Sequence, residues 1–327
     1  MDVQLVTERG VEPREVDELE ELLRKEDGVV WVDIPTWDAE ASRVLIEVFG
    51  FHRLAVEDCA KRNPVPKVHI YSDHVFVILH APEAGASGHV HYVELDQFVG
   101  AHYLVTVHGP LNPSVDPEAA LVETRTLRRK LESGRLRPGS GFELSFALVT
   151  ALAGRLREYL TAMTQDVWRL EQQVTAGRLG DPERFLDEMF RVRHGLLTVR
   201  TMANLSREVY GRMATLGAFG RDQGQSLLTD AVDQFQRIGT MADVQKDYLQ
   251  GVIEFYQTRT NTKMTIAAER LAVIAAVTLP ITALSSVLGM NVIVNERTHW
   301  FALIVLLAIM SVMSAALLVW AKRQEWW

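Results

Sequence analysis

The stretch from Leu271 to Val294, LAVIAAVTLPITALSSVLGMNVIV, contains no charged residue. A second uncharged stretch, WFALIVLLAIMSVMSAALLVW, runs from Trp300 to Trp320. A helix needs about 20 apolar residues to cross the hydrocarbon core of a bilayer, and each stretch is long enough. Apolar helical runs in soluble cores are shorter, so the two stretches predict a pair of membrane spans joined by a tight hairpin.

Flanking charges indicate the orientation of this hairpin. Basic residues stand before the first span and after the second: Arg259, Lys263, Arg270, Lys322 and Arg323. Between the spans, Arg297 is offset by Glu296. Cytosolic flanks carry the excess of Lys and Arg, so both termini are expected in the cytosol. The predicted location is a cytoplasmic (inner) membrane, crossed twice.

Composition excludes several classes of function for the rest of the chain. The 327 residues carry a formal net charge of −8, which argues against nucleic-acid binding because phosphate contacts need clustered Lys and Arg. The one cysteine, Cys59, leaves no internal disulfide and fits a reducing compartment. No phosphate-binding loop, G-x-S-x-G or H-E-x-x-H motif is present, so we predict that the protein is not an enzyme.

Residues 1–138 alternate between helix and strand signals. Runs rich in β-formers and broken by Asp, Gly and Ser cover 68–82, 89–100 and 102–109, while 37–50 reads as a helix capped by Asp38. This predicts an α+β cytosolic domain with a mixed or antiparallel sheet. The segment RLRPGSG, 135–141, marks its end.

Beyond this break the chain reads as helical. Residues 139–225 predict a helical hairpin, with one helix from Phe142 to about Val174 and a return helix from Pro182 to about Met213. Residues 226–270 predict a stalk helix that runs without proline into the first span. A small monomeric core cannot support so long a helix, so a bundle of stalks from several subunits is expected. The remaining segments are the first span (271–292), an external loop (293–299), the second span (300–321) and a basic, aromatic cytosolic tail (322–327).

The two spans differ in their polar content. The second span has Ser311 and Ser314 among bulky apolar residues, which suits lipid. In the first span the 4-3-4 spacing of Ala275, Leu279, Thr282 and Ser286 places these residues on one helical face. Small and hydroxylated residues on one face fit either close helix packing or a polar lumen.

Asn291 follows Gly289 at the outer end of the first span. We expect Gly289 to adopt a positive φ and end the helix, which leaves Asn291 at the mouth. A ring of amide oxygens could hold Mg²⁺ through its water shell, because Mg²⁺ gives up water reluctantly. Conduction also needs binding weak enough for release. A plain helix cap is the alternative interpretation of this asparagine.

The tripeptide Gly289-Met290-Asn291, between two terminal spans and after a long stalk, resembles the signature of the CorA-type family of divalent-cation channels. Similarity to this family extends over most of the chain, through AVIAAVTLPITALSSVL (272–288), GVIEFYQTRTN (251–261), VVWVDIP (29–35) and FGFHRLAVEDC (49–59). The resemblance implies a funnel-shaped homopentamer that takes up Mg²⁺ and often tolerates Co²⁺ and Ni²⁺. It also implies that the first span lines the pore and the second lies outside it.

The resemblance further assigns roles to residues of the pore. Asn291 takes the place of the selectivity filter, with Gly289 and Met290 shaping its turn. Leu279 and Thr282 fall at pore-facing positions, and Leu271 falls at a hydrophobic constriction, which can gate by dewetting.

A regulatory site is also implied, because Mg²⁺ bound between cytosolic domains favours the closed state in this family. The stalk acids that fall at this site are Asp230 and Glu254, and Asp233 lies one turn from Asp230. Glu83 is our prediction for the ligand from the neighbouring domain. The alternative is that these acids form a solvated helix face.

One departure and two alternative functions remain open at this level. Glu296 beside Arg297 leaves the outer loop near neutral, which puts in doubt how strongly the mouth concentrates cations. The first alternative is a Zn²⁺ or Co²⁺/Ni²⁺ transporter of the same fold. The second is a sensor whose spans only tether a cytosolic domain to the bilayer.

Overall fold

The computed structural model describes residues 1–177, 181–220, 223–292 and 300–323, without the side chains of 223, 287–292, 300, 302, 303 and 306. The chain divides into two compact units, Met1–Val252 and Ile253–Trp327.

A mixed sheet forms the centre of the first unit. Its strands in the described ranges are β1 (Asp2–Thr7), β2 (Gly10–Arg14), β3 (Val29–Ile34), β4 (Lys67–Ile70), β5 (Val75–Ala84), β6 (Val90–Val99) and β7 (Tyr103–Val107). Their order is β2-β1-β3-β7-β6-β5-β4. β3 and β7 pair in parallel and the other neighbours are antiparallel, which confirms the mixed sheet expected from the sequence.

One face of the sheet is covered by short helices: α1 (Leu19–Lys25), α2 (Ala39–Arg43) and α3 (Arg53–Cys59). The predicted cap is present, since the Asp38 carboxylate accepts the Ala41 backbone N–H at 2.7 Å. A π-helical turn, Val44–Val48, extends α2 towards Gly50. The apolar core beneath these helices includes Val32, Leu45, Phe76, Phe98 and Val105.

Two further helices, α4 (Pro117–Ala120) and α5 (Val122–Glu132), follow the last strand and were not predicted. In the segment predicted as a helical hairpin, the structure has two long helices, α6 (Gly141–Ala176) and α7 (Pro182–Leu216). The carboxylate of Asp181 caps α7 through the backbone N–H of Glu183 at 3.0 Å. α6 begins against the sheet, where a Cβ on Gly141 would stand 2.2 Å from the Tyr103 carbonyl oxygen.

The predicted long helix is present as α8 (Gln223–Val292), a continuous helix of 70 residues with Pro280 inside it. It passes from the first unit into the second, where α9 (Trp300–Arg323) follows. The expectation that the helix ends at Gly289 is wrong, because the backbone stays helical to Val292. Glycine permits a positive φ but does not impose it, and in a bilayer continued helical hydrogen bonding keeps the backbone satisfied. The segment boundaries given in the sequence analysis remain predictions.

Candidate functional site

The first predicted span has the properties of a membrane helix in the structure. Among the described residues, one helix, Gly224–Ser286, contains a window long and apolar enough to cross a membrane. None of the residues in that window is buried. Apolar side chains as large as Leu271 and Leu279 are each 66% exposed. An uncovered apolar helix needs a cover outside its own chain, which is what a bilayer or further subunits supply.

Most of the half-buried residues in the apolar part of this helix lie on one face. Val273, Val277, Pro280 and Leu284 are half-buried and recur at the 4-3-4 spacing of a single face. Half-buried or buried positions also recur along one stripe of α9, at Met310, Met313, Ser314, Leu317 and Ala321. Two half-buried stripes within one unit are the pattern expected when two helices pack against each other along one side.

The predicted pore residues lie on the opposite face of α8. Leu271, Leu279, Thr282 and Ser286 are exposed, and Ala275 is half-buried. The structure therefore places these five predicted residues on one stripe of the helix, along which all except Ala275 are exposed.

Hydroxyl groups in the spans are bonded to their own helix. The Thr278 and Thr282 hydroxyls donate to the carbonyl oxygens of Ile274 and Thr278 at 2.8 Å. Ser311 in α9 donates in the same way to the Leu307 carbonyl oxygen at 2.8 Å. This satisfies each donor without water. Because the proton of Thr282 is directed at the backbone, its oxygen offers only lone pairs to anything beside the helix.

The signature residues stand at the C-terminal end of α8. Gly289, Met290 and Asn291 belong to the helix by their backbone, and their side chains are outside what the structure describes. Glu296 lies outside the described residues altogether. The filter therefore stays a prediction of the sequence.

The stalk acids are all exposed side chains on α8: Asp230, Asp233 and Glu254. The described parts of the chain contain no group of three or more His, Cys, Asp or Glu residues arranged to hold a metal ion. The regulatory metal site therefore stays a prediction of the sequence.

Glu83 is engaged in a different way from the one predicted. One of its oxygens, Oε2, accepts a hydrogen bond from Arg155 Nη2 at 2.6 Å. Nη1 of the same guanidinium lies 3.2 Å from both oxygens of Glu123 and 2.8 Å from the Ala119 carbonyl oxygen. Nε reaches the Pro82 carbonyl oxygen at 3.1 Å. Because Glu83 is already paired with the guanidinium of Arg155, Glu83 is the least suited of the predicted ligands to bind a metal ion.

Arg155 was missed by sequence reasoning. Its side chain is only 10% exposed, although it lies in a helix whose neighbouring Arg157 is exposed. Burial raises the pKa of Glu123, and the charge of Arg155 opposes that rise. No local signal distinguishes an arginine that is buried against a carboxylate 32 residues away.

The chain combines an α+β unit with a long helix that contains an unburied window apolar enough to cross a membrane. Residues 26–323 match the family described as CorA-like Mg²⁺ transporter protein. This match spans most of the chain, and the protein belongs to that family.

Two relatives and one solved structure illustrate the similarity. The chain is 22% identical over 304 residues to the metal ion transporter YfjQ of Bacillus subtilis (strain 168), covering 90% of this chain and 89% of that protein. It is 22% identical over 291 residues to the cobalt/magnesium transport protein CorA of Thermotoga maritima, covering 86% and 78%. The complete structure of the CorA magnesium transporter from Methanocaldococcus jannaschii superimposes with a TM-score of 0.78 at 14% identity, covering 100% of this chain and 98% of that one. The last comparison supports the fold alone.

Proposed function

We propose that the protein is a homopentameric channel of the cytoplasmic (inner) membrane that takes up Mg²⁺ and also accepts Co²⁺. The observation that carries the proposal is the family match over residues 26–323. This chain supports it with an unburied apolar helix whose backbone continues through Gly289, Met290 and Asn291. In the proposal, a ring of Asn291 amide oxygens selects hydrated cations at the outer mouth.

The uncovered stripe of α8 supports a pore-lining role. Thr282 offers an oxygen whose proton is already donated to the backbone. Copies of this helix around an axis would therefore present acceptor oxygens to the water shell of a cation. Leu271 at the other end supplies the apolar ring that can close the path by dewetting. In the proposal α9 lies outside the pore. Its half-buried stripe would pack against the half-buried face of α8, which is opposite the predicted pore residues.

An exposed apolar stripe on the stalk supports self-association. Met241, Val244 and Tyr248 are 57%, 58% and 43% exposed on α8. Their 3-4 spacing is that of a coiled-coil seam. Such a seam is stable when copies of the helix pack together, which fits a symmetric bundle of stalks.

The membrane potential would drive the uptake. Each elementary charge gains about 2.3 kcal/mol per 100 mV, so a divalent cation gains about twice that, ~4.6 kcal/mol. Feedback by internal Mg²⁺ is part of the proposal, with Asp230, Asp233 and Glu254 as the stalk side of an intersubunit site. Glu83 would contribute to this site only through the oxygen that Arg155 leaves free.

The test is Mg²⁺ flux into liposomes that contain the purified protein. We expect the wild type to admit Mg²⁺ down an imposed potential and Asn291→Ala to lose most of that flux. Asn295→Ala is the matched control, because it removes the same amide four residues further along the chain.

The competing functions predict different results in the same assay. A Zn²⁺ or Co²⁺/Ni²⁺ transporter would carry its own ion with little competition from excess Mg²⁺. A membrane-tethered sensor would give no flux of any divalent ion, and Asn291→Ala would leave its properties unchanged. Either result would overturn the proposal.

A further inference from the structure

A carboxylate lies fully buried inside the first unit, and no Lys or Arg side chain of the described residues forms an ion pair with it. Asp96, on β6, is 0% exposed, and neither of its oxygens has a hydrogen-bond partner of standard geometry. Alternation along the strand places it on the same face as Phe98, a member of the apolar core under α1–α3. An unpaired carboxylate buried in such surroundings favours its neutral, protonated form.

A second carboxylate stands next to it. Glu94 precedes Asp96 by two residues and points to the same face of β6. Its oxygens accept two hydrogen bonds from Asn63, one from the backbone N–H at 2.7 Å and one from Nδ2 at 2.6 Å. These donors stabilise the charged form of Glu94, whereas the donor beside Asp96 is the weaker thiol of Cys59. Adjacent carboxyl groups in this arrangement hold one proton between them, and it belongs on Asp96.

The titratable and charged groups that face the pair are Asp58 and Cys59 of α3, Arg62 of the following loop, Lys67 of β4, His80 of β5 and His108 beyond β7. None of the cations among them forms an ion pair with either carboxylate, although the charge of Lys67 lowers the pKa of both. Lys67 is bound to Asp58 at 2.6 Å. Burial lowers the pKa of His80 and raises the pKa of Cys59, so both are neutral near pH 7.

Burial raises the pKa of Asp96 well above its ordinary value of 3.8, and the charge of Glu94 raises it further. Burial also raises the pKa of Glu94, but the hydrogen bonds from Asn63 oppose that rise. These pKa shifts agree with the geometry, because Asp96 is more deeply buried than Glu94 and receives fewer hydrogen bonds.

We infer that Asp96 and Glu94 form a proton-binding site inside the cytosolic domain, in which the buried Asp96 carries the proton that the pair shares. The site is connected to the segment 60–66 between α3 and β4. Asn63 binds Glu94 through two donors, and its carbonyl oxygen lies 2.7 Å from His80 Nε2. Loss of the proton would place two anions side by side under this segment and loosen it.

The sign of the pH dependence follows from the raised folded-state pKa. The folded protein holds a proton that the unfolded chain releases above about pH 3.8, the ordinary pKa of Asp96. The stabilising contribution is complete below that pH and is lost as the pH rises through the folded-state pKa. Within this window the unfolding equilibrium constant rises by up to about tenfold per pH unit.

The first experiment detects the proton directly, by infrared spectroscopy of the full-length protein in detergent micelles. A protonated carboxyl group has a carbonyl band separate from that of a carboxylate. We expect this band at neutral pH in the wild type and in Glu57→Gln, a control at an exposed acid of α3. The band should be absent in Asp96→Asn. A wild type without the band, or Asp96→Asn that retains it, would overturn the inference.

A second experiment measures the loosening by hydrogen exchange of the peptide that covers 60–66. Comparing wild type with Asp96→Asn at each pH cancels the intrinsic dependence of exchange on pH. The wild type should exchange increasingly faster than the variant as the pH rises, and a ratio independent of pH would contradict the inference. If Asp96→Asn does not fold, Glu94→Gln takes its place. That variant should lose the carboxyl band of Asp96 at a lower pH than the wild type, and an unchanged pH of loss would count against the shared proton.

Discussion

Replacing Arg155 with methionine should destabilise the first unit more than any change on its surface. Glu123 is 2% exposed and would stay buried without its cation, while the carbonyl oxygens of Pro82 and Ala119 would lose their donors. Removing one partner of a buried ion pair costs about 3–5 kcal/mol. Arg157→Met, at an exposed position two residues further along the same helix, should cost less than about 0.5 kcal/mol.

Hydrogen exchange of the full-length protein in micelles measures this cost locally. Because about 1.36 kcal/mol corresponds to a factor of ten, amides of α6 and β5 that open with this unit should exchange roughly 10²- to 10⁴-fold faster in Arg155→Met. The double variant Arg155→Met/Glu123→Met should recover at least half of the loss, since apolar side chains can replace a buried pair at little cost. The penalty of the single variant should also shrink as the pH falls, because Glu123 can then be protonated. A change below about tenfold in Arg155→Met, or no recovery in the double variant, would refute the reasoning.

Three further predictions concern other parts of the chain. Gly141→Ala would place a Cβ 2.2 Å from a backbone carbonyl oxygen of β7 and should lower the thermal unfolding midpoint. Gly211→Ala, whose Cβ would have no atom within 4 Å, should raise the free energy of unfolding by about 0.5–1 kcal/mol. Equal effects of the two variants on stability would contradict this packing. Thr282→Val should reduce Mg²⁺ flux in liposomes several-fold while Thr282→Ser retains it, and equal flux in both would exclude an oxygen contact. Asp230→Asn combined with Asp233→Asn should weaken the Mg²⁺-dependent protection of the stalk from proteolysis, and undiminished protection would remove these acids from the regulatory site.

The sequence predicted the features that local patterns encode. A long run without charged residues indicates a membrane span, and the absence of proline from 227 to 279 indicates a long helix. Together these two signals predicted nearly the whole of α8. β2 was missed because it is a short edge strand with Pro13 inside it and no apolar alternation. The end of the helix at Gly289 was wrong because glycine allows a helix to end without requiring it.

The environment of Glu83 could not be read from the sequence at all. Its partner, Arg155, lies 72 residues away, and only the packing of α6 against the sheet brings the two together. The same holds for Asp96, whose isolation depends on the strands and helices that surround it. Pairings of this kind are set by tertiary structure and leave no periodic signal in the chain.

The central claim is that the uncovered stripe of α8 faces a water-filled path for cations. Cysteine accessibility tests it most directly, because the one native cysteine, Cys59, is buried. In liposomes, a charged thiol reagent added to Thr282→Cys should block Mg²⁺ flux, while Leu284→Cys on the opposite, half-buried face should be unaffected. Equal block at both positions, or block at Leu284→Cys alone, would contradict the account.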